Sequence, residues 1–362
     1  MTVSIDHFIS QTGSNNSATR LEQVLQDIVN NISLQADFSI VHPEYESIEL
    51  PEELQERFGQ MPDHVQNNYL QVKLQQFLYH NYYSLPRLID ETENNEKIEN
   101  QAIKWSKSEF LEQLRQNNRS ESHFESGWLI VGQTDEGFIQ VQKDDLTLHI
   151  GSRHLQDVDH SAQVGDLVAV KMPPQLVEQG FYIAVGTAGS INNLDQESDT
   201  QIVDIHFNLS SDGAVALMDS LTTELNGIEI PFPFHFKVLY RPEDYVWCDT
   251  AILSFERRNY NRVQPIIETI YQKNQSYFQP ETPLFTKYLA PGLSVAEKPN
   301  SESLLPDFAP NRCQIIAQAL ILAWQEGQES PEAKLNYICD RFSEAGIDLK
   351  KPYLNPNSED IY

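Results

Sequence analysis

Apolar residues in the first third of the chain recur at helical spacing. Leu21, Val24, Leu25, Ile28, Val29 and Ile32 fall on one stripe behind a Ser/Asn-rich start, which predicts an amphipathic helix. A second stripe, over residues 65–83, is aromatic, with Tyr69, Phe77, Tyr79, Tyr82 and Tyr83. It stops at Leu85 and Pro86, because proline pushes the residue before it out of the helical region. The aromatic stripe reads as packing surface. Residues 90–100 are acidic and polar and read as a loop.

After Ser120 the period shortens to that of strands. Segments 127–131, 137–141, 146–150, 167–171 and 181–185 are short apolar runs separated by turn signals such as Asp135-Glu136-Gly137 and Gly165-Asp166. Five such segments predict a small antiparallel β-barrel or meander. A polar linker follows over 189–200. Then come a strand over 201–209, a helix capped at Ser211 and Asp212, strands over 232–240 and 251–255, and helical spacing over 261–277, 312–325 and 331–344. The fold class is α+β. Residues 1–120 form a helical N-terminal region, 121–190 a small β unit, and 191–362 an α+β catalytic-type region with C-terminal helices.

Charge narrows the function. The 362 residues hold 25 Lys and Arg against 53 Asp and Glu, a formal net charge of -28. Phosphate backbones and anionic membrane surfaces would be repelled, so neither nucleic acid nor membrane is an expected partner. Cys248, Cys313 and Cys339 are scattered and odd in number, which supports neither a zinc site nor a disulfide framework and suits a reduced cytoplasm. The N-terminus lacks a basic segment followed by a long apolar run, so a cytoplasmic protein is expected. No P-loop, GxGxxG, nucleophile elbow or HExxH motif is present.

Against that background the basic residues are unevenly placed. None occurs between Lys171 and Lys237, and then Lys237, Arg241, Arg257, Arg258, Arg262, Lys273 and Lys287 follow. Lys237 sits between Phe236 and Val238 on strand-forming sequence. Such a lysine lies on a solvated face or points into a pocket that holds an anion.

The segments 205–210 (IHFNLS), 236–240 (FKVLY), 249–255 (DTAILSF), 279–287 (QPETPLFTK) and 290–293 (APGL) resemble the HopA-type effector family. That family takes its name from a plant-pathogen type III effector and also occurs in bacterial gene clusters that make ribosomal peptides. The ending PYLNPNSEDIY at 352–362 resembles cyanobacterial members. The order of segments is similar to that of the phosphothreonine lyase effectors. The resemblance implies a lyase that removes phosphate from phosphoserine or phosphothreonine of a precursor peptide, leaving a dehydroamino acid. A partner kinase would install the phosphate, and a cyclase could act afterwards. The family's basic lysine falls on Lys237. Its Lys and His, two apart, fall near His206 and Asn208, so an asparagine stands where the family has its catalytic histidine. Either His206 substitutes from a neighbouring position or another donor serves as acid.

The chemistry asks for such groups. Removing a weakly acidic Cα proton needs a base beside the carbon, and a departing phosphate needs cationic forks and a proton donor. Lys237 is the candidate base, with His206 and Tyr240 as catalytic partners and Tyr245 and Tyr260 as further donors. Arg241, Arg257 and Arg258 are candidates for the phosphate, and alternation along a strand turns at least one of the last two outward. Lys171, Lys287 and Arg312 are secondary candidates. The rival reading is a non-enzymatic, effector-like module that binds a phosphopeptide or protein. An elimination run by lysine and arginine calls for no cofactor and no metal. Lyase turnover should therefore persist in a strong chelator, and activity restored only by one added metal would overturn that mechanism.

Overall fold

The first apolar stripe becomes helix α1 (Asn16–Asn31), followed by the two-residue strands β1 (Ser33–Leu34) and β2 (Ile40–Val41). Helices α2 (Glu52–Gly59) and α3 (Asp63–Leu78) come next, and the aromatic stripe closes α3 with a π-helical turn at Tyr79–Tyr83. The computed structural model describes residues 16–84, 105–134, 137–156, 163–191, 200–299 and 307–362. The expected loop at 90–100 and positions 192–199 of the expected linker lie outside them. Helix α4 (Lys107–Asn117) opens on a capping box. The Ser106 side chain accepts from the Glu109 amide, and the Glu109 carboxylate accepts from the Ser106 amide.

Strands β3 (His123–Gln133), β4 (Ile139–Lys143), β5 (Leu146–Ile150) and β6 (Leu167–Met172) form an antiparallel sheet in the order β5-β4-β3-β6. Trp128, Ile130, Ile139, Val141 and Val170 line its buried side. It is an open meander-like sheet, and no closed barrel is found among the described residues. The expected fifth strand belongs elsewhere. Together with β7 (Gln175–Glu178), β8 (Phe181–Val185) joins the large sheet. The physical reason is legible in its composition, because β8 is apolar without alternation, as a strand covered on both sides must be.

The large sheet is antiparallel throughout. It adds β9 (Ile202–Phe207), β10 (Phe234–Leu239), β11 (Ala251–Glu256), β12 (Lys287–Ala290) and β13 (Leu293–Glu297) in the order β12-β13-β9-β11-β10-β8-β7. Helix α5 (Ser211–Asn226) follows β9. Its cap is Ser210, one residue before the expected position, whose hydroxyl accepts from the Gly213 amide. Helix α6 (Tyr260–Asn274) follows β11. Val203, Ile205, Phe207, Phe234, Phe236, Val238, Leu253 and Val295 bury one face of the sheet in a core shared with α4, α5 and α6.

The last two helices, α7 (Phe308–Gln325) and α8 (Pro331–Glu344), join α1 and α3 in a second core built on Leu25, Ile28, Leu74, Phe77, Ile316, Leu320, Ile338 and Phe342. The N-terminal helices thus do not bury a core alone. Their stripes meet helices almost 300 residues later, while α4 packs on the opposite side of the sheet. The fold is α+β, with a helical layer over each face of the large sheet. No helix of the described residues is long and apolar enough to cross a membrane.

Gly292 fastens the end of β9. Its φ is 70°, and an added Cβ would stand 2.1 Å from the Gln279 carbonyl oxygen and 3.2 Å from that of Asn208. Its own carbonyl accepts from the Asn208 amide, and its amide donates to Pro280. A Gly292→Ala variant should therefore lose about 3 kcal/mol of stability through strain and the forced shift of backbone. Urea midpoints would measure this, and an unchanged midpoint would contradict the close approach.

Candidate functional site

Alternation along a strand sends every second side chain to the same face. The apolar core positions of β9, β10 and β11 take one face, so the residues between them take the other. On that second face Ser294, His206, Ile252, Lys237 and Ile183 lie in direct cross-strand register over β13, β9, β11, β10 and β8. The next row reads Ala296, Asp204, Ser254, His235 and Val185. One strand, β11, separates Lys237 from His206, so two inter-strand spacings set their Cα atoms roughly 9–10 Å apart.

This face is polar yet buried. His206 is 2% exposed and Ser294 fully buried. Both ring nitrogens of His206 and the Ser294 hydroxyl lack a hydrogen-bond partner among the described residues. Buried polar atoms are nearly always paired, so three orphans facing each other mark a place prepared for something else. Phe308 of α7 covers the imidazole with its ring 6.2 Å away. The His206 pKa is pushed down to about 4, chiefly by burial and slightly by Lys237, against the opposing pull of Asp204 and Asp249. Asp204 is itself occupied by the Ser254 hydroxyl at 2.5 Å. Lys237 is half-buried, with its Nζ 5.3 Å from the centre of the Phe181 ring.

The helical layer closes one end of the face. Tyr79, from the π-helical turn, donates to Asp249 Oδ2 at 2.6 Å, and the Ser84 hydroxyl donates to the other carboxylate oxygen. Arg20 of α1 donates through Nη1 to the Thr282 carbonyl at 2.6 Å, while its buried Nη2 finds no partner among the described residues. Sequence reasoning passed over these residues. A tyrosine at helical spacing announces packing, and nothing local ties Tyr79 to a carboxylate 170 positions away.

A model of the HopA1 effector protein family matches residues 172–354, just over half of the chain. The chain belongs to the HopA1 effector protein family. Among solved structures it is similar to the effector protein from Pseudomonas syringae pv. tomato strain DC3000, at 16% identity over 84% of this chain and 95% of that one, with a TM-score of 0.42. It is also similar to the effector protein from Pseudomonas syringae pv. syringae strain 61, at 14% identity over 80% and 98% of the two chains, with a TM-score of 0.40. No curated protein matches. The HopA1-matched span contains the whole polar face, from Ile183 to Ala296.

Of the residues singled out from sequence, the fold brings Lys237 and His206 onto this face. The remainder lie elsewhere. Tyr240 packs against the core on the other side of the sheet, with the Lys107 ammonium 4.7 Å from its ring centre. Tyr245 donates to the Leu239 carbonyl, and Tyr260 stacks edge-on against Tyr362. Arg241 is exposed beyond the end of β10. Arg258 is turned outward, 2.8 Å from Glu256.

Arg257, Lys287 and Arg312 serve the C-terminal tail instead of an anion. Buried Glu297 accepts from Arg257 Nε, the Asn355 amide, the Ser358 hydroxyl and the Tyr362 hydroxyl. Lys287 bonds Asp360 at 2.8 Å and the Tyr362 carbonyl at 2.6 Å. Arg312 donates to the carbonyls of Pro352 and Leu354, and burial lowers its pKa to about 10. Lys171 is exposed on β6, opposite Phe124 of the small sheet. Asn208 donates to the Glu281 carbonyl at 3.0 Å and thereby holds the loop at the end of β9.

A histidine whose folded pKa lies below its ordinary 6.5 contributes stability that is complete above pH 6.5 and is lost as pH falls toward 4. The stability of the wild type relative to His206→Gln should accordingly drop by roughly 2–3 kcal/mol between pH 7 and pH 4. Paired urea titrations read this difference. A difference that stays flat with pH would mean that the ring is not held neutral.

Proposed function

We propose that this protein is a carbon–oxygen lyase that eliminates phosphate from phosphoserine or phosphothreonine of a peptide. The observation that carries the reading is the shared row of Lys237 and His206, buried beside unpartnered polar atoms on one face of the sheet. The order of the chain's segments supports it, since it is similar to that of the phosphothreonine lyase effectors, whose basic lysine would fall on Lys237.

The reaction needs few parts. The Lys237 amine takes the Cα proton of the phosphorylated residue. The electron pair left behind forms the Cα=Cβ double bond, and the Cβ–O bond breaks with its electrons going to the phosphate oxygen. The products are a dehydroamino acid and inorganic phosphate. Burial holds His206 neutral, yet a phosphate dianion within reach favours the imidazolium. Substrate binding itself would then arm His206 to donate toward the leaving oxygen. The substrate on this reading is a phosphorylated ribosomal precursor peptide, with a kinase acting before the lyase and a cyclase able to act after it.

One observation favours a second reading. The contact of Lys237 with the Phe181 ring is of the kind an ammonium makes, which suits a module that holds a phosphopeptide without cleaving it.

Mass spectrometry of a phosphopeptide incubated with the purified protein separates the two, because elimination removes the elements of phosphoric acid whereas binding alone leaves the mass unchanged. Lys237→Ala should abolish elimination while phosphopeptide binding persists. Lys237→Arg should fail almost as completely, since a guanidinium stays protonated at useful pH. Near-native turnover by a folded Lys237→Ala protein would remove Lys237 as the base.

A further inference from the structure

In a chain with this excess of acid, the polar face gathers basic side chains around His235. This histidine is 8% exposed, two residues from Lys237 on the same face, and its Nε2 lies 3.0 Å from the Ser190 hydroxyl. Lys298 extends β13 on the face of Ser294 and Ala296, its amide donating to the Ile202 carbonyl. The ring of His123, from the start of β3, approaches Gly189. Its two buried nitrogens have no hydrogen-bond partner among the described residues.

The charges act on one another across the strands. Burial is the first cause that lowers the His235 pKa, to about 4, and Lys298, Lys237 and His123 each lower it further. The carboxylate that opposes them is Asp204, which already accepts from Ser254. The carboxylate beside Lys298 is Asp307, 3.7 Å away and half-exposed. Lys298 and Lys237 thus stand near a histidine that burial keeps neutral, and a bound anion would turn this balance toward its protonated form.

We propose that His235, His123 and Lys298, beside Lys237, form a binding site for a tetrahedral oxyanion dianion. If the protein is a lyase, this site takes the phosphoryl group of the substrate and then the inorganic phosphate released. That assignment rests on the lyase reading, whereas the binding site itself does not. It gives the phosphate a cradle of histidine and lysine in place of the arginines singled out from sequence. His235 and His123 become good donors to a dianion when protonated, so binding takes up protons and strengthens as pH falls. Asp204 raises the His235 pKa and so favours the same protonation.

Sulfate is a suitable probe, because it remains a dianion across the range in which phosphate changes charge. Calorimetric titration of the full chain with sodium sulfate should show affinity rising about fivefold or more from pH 8 to pH 6. Lys298→Ala and His123→Gln should each weaken binding at pH 6 by about fivefold or more, and His235→Gln should flatten the pH dependence. Lys171→Ala removes the same charge from the small sheet and should leave sulfate affinity unchanged. Circular dichroism melts confirm that each variant is folded.

No sulfate binding, pH-invariant binding, or equal losses in Lys298→Ala and Lys171→Ala would overturn the site. The lyase reading fails separately. Sulfate binding that depends on these residues, in a protein that eliminates nothing from phosphopeptides, keeps the site and removes the lyase. Elimination that is insensitive to Lys298→Ala and His123→Gln, without sulfate binding, does the reverse.

Discussion

The structure depends on a sheet buried on both faces while only one of them is apolar. A sheet covered by helices on each side ordinarily presents apolar side chains to both. Here β9 and β10 alternate and β11 adds Ser254 beside Ile252, so Ile205, Phe207, Phe236 and Leu253 meet one helical layer, while His206, Asp204, Lys237, Ser254 and His235 meet the other. Burying these polar groups opposes folding wherever they go unpaired. The apolar face, with its aromatic packing, supplies the stabilisation that lets the fold tolerate them.

The second helical layer reaches that polar face through a small number of specific contacts. Tyr79 and Ser84 satisfy Asp249, Phe308 lies against His206, and Arg20 hangs on the Thr282 carbonyl. A π-helical turn is what aims Tyr79 and Tyr83 at the sheet, because it rotates the end of α3 away from ordinary helical register. The C-terminal tail is fastened independently. Glu297 sits on β13 one residue from Ala296 of the polar row and gathers four donors, three of them from residues 355–362. The arginines and lysines at 257, 287 and 312 are bound into this strapping.

That division explains why a cationic run in the sequence did not translate into a cationic site. Counting basic residues after Lys237 treats them as one population, but a strand end, a helix start and a β-hairpin send them to different places. Arg257 and Arg258 are adjacent, yet one bonds Glu297 inward and the other pairs with Glu256 at the surface. The basic side chains that act on one another near the polar face are His123, His235, Lys237 and Lys298, which span 176 positions of sequence.

The chain by itself determined the periods. Helical spacing in 21–32, 65–83, 312–325 and 331–344, short apolar runs in 127–185 and the strand segments 201–209, 232–240 and 251–255 follow from the need to bury each element, and they fix an α+β fold. The pattern around Lys237 also marked a strand with a polar side. Which strand neighbours which was decided in three dimensions. β8 left the small sheet for β10 because it is apolar on both sides, and the first and last helices shared one core because neither stripe could be covered alone. The site followed the same rule. Periodicity tells which face a side chain takes, whereas cross-strand register and the covering layer tell what it meets there, and those depend on residues hundreds of positions apart.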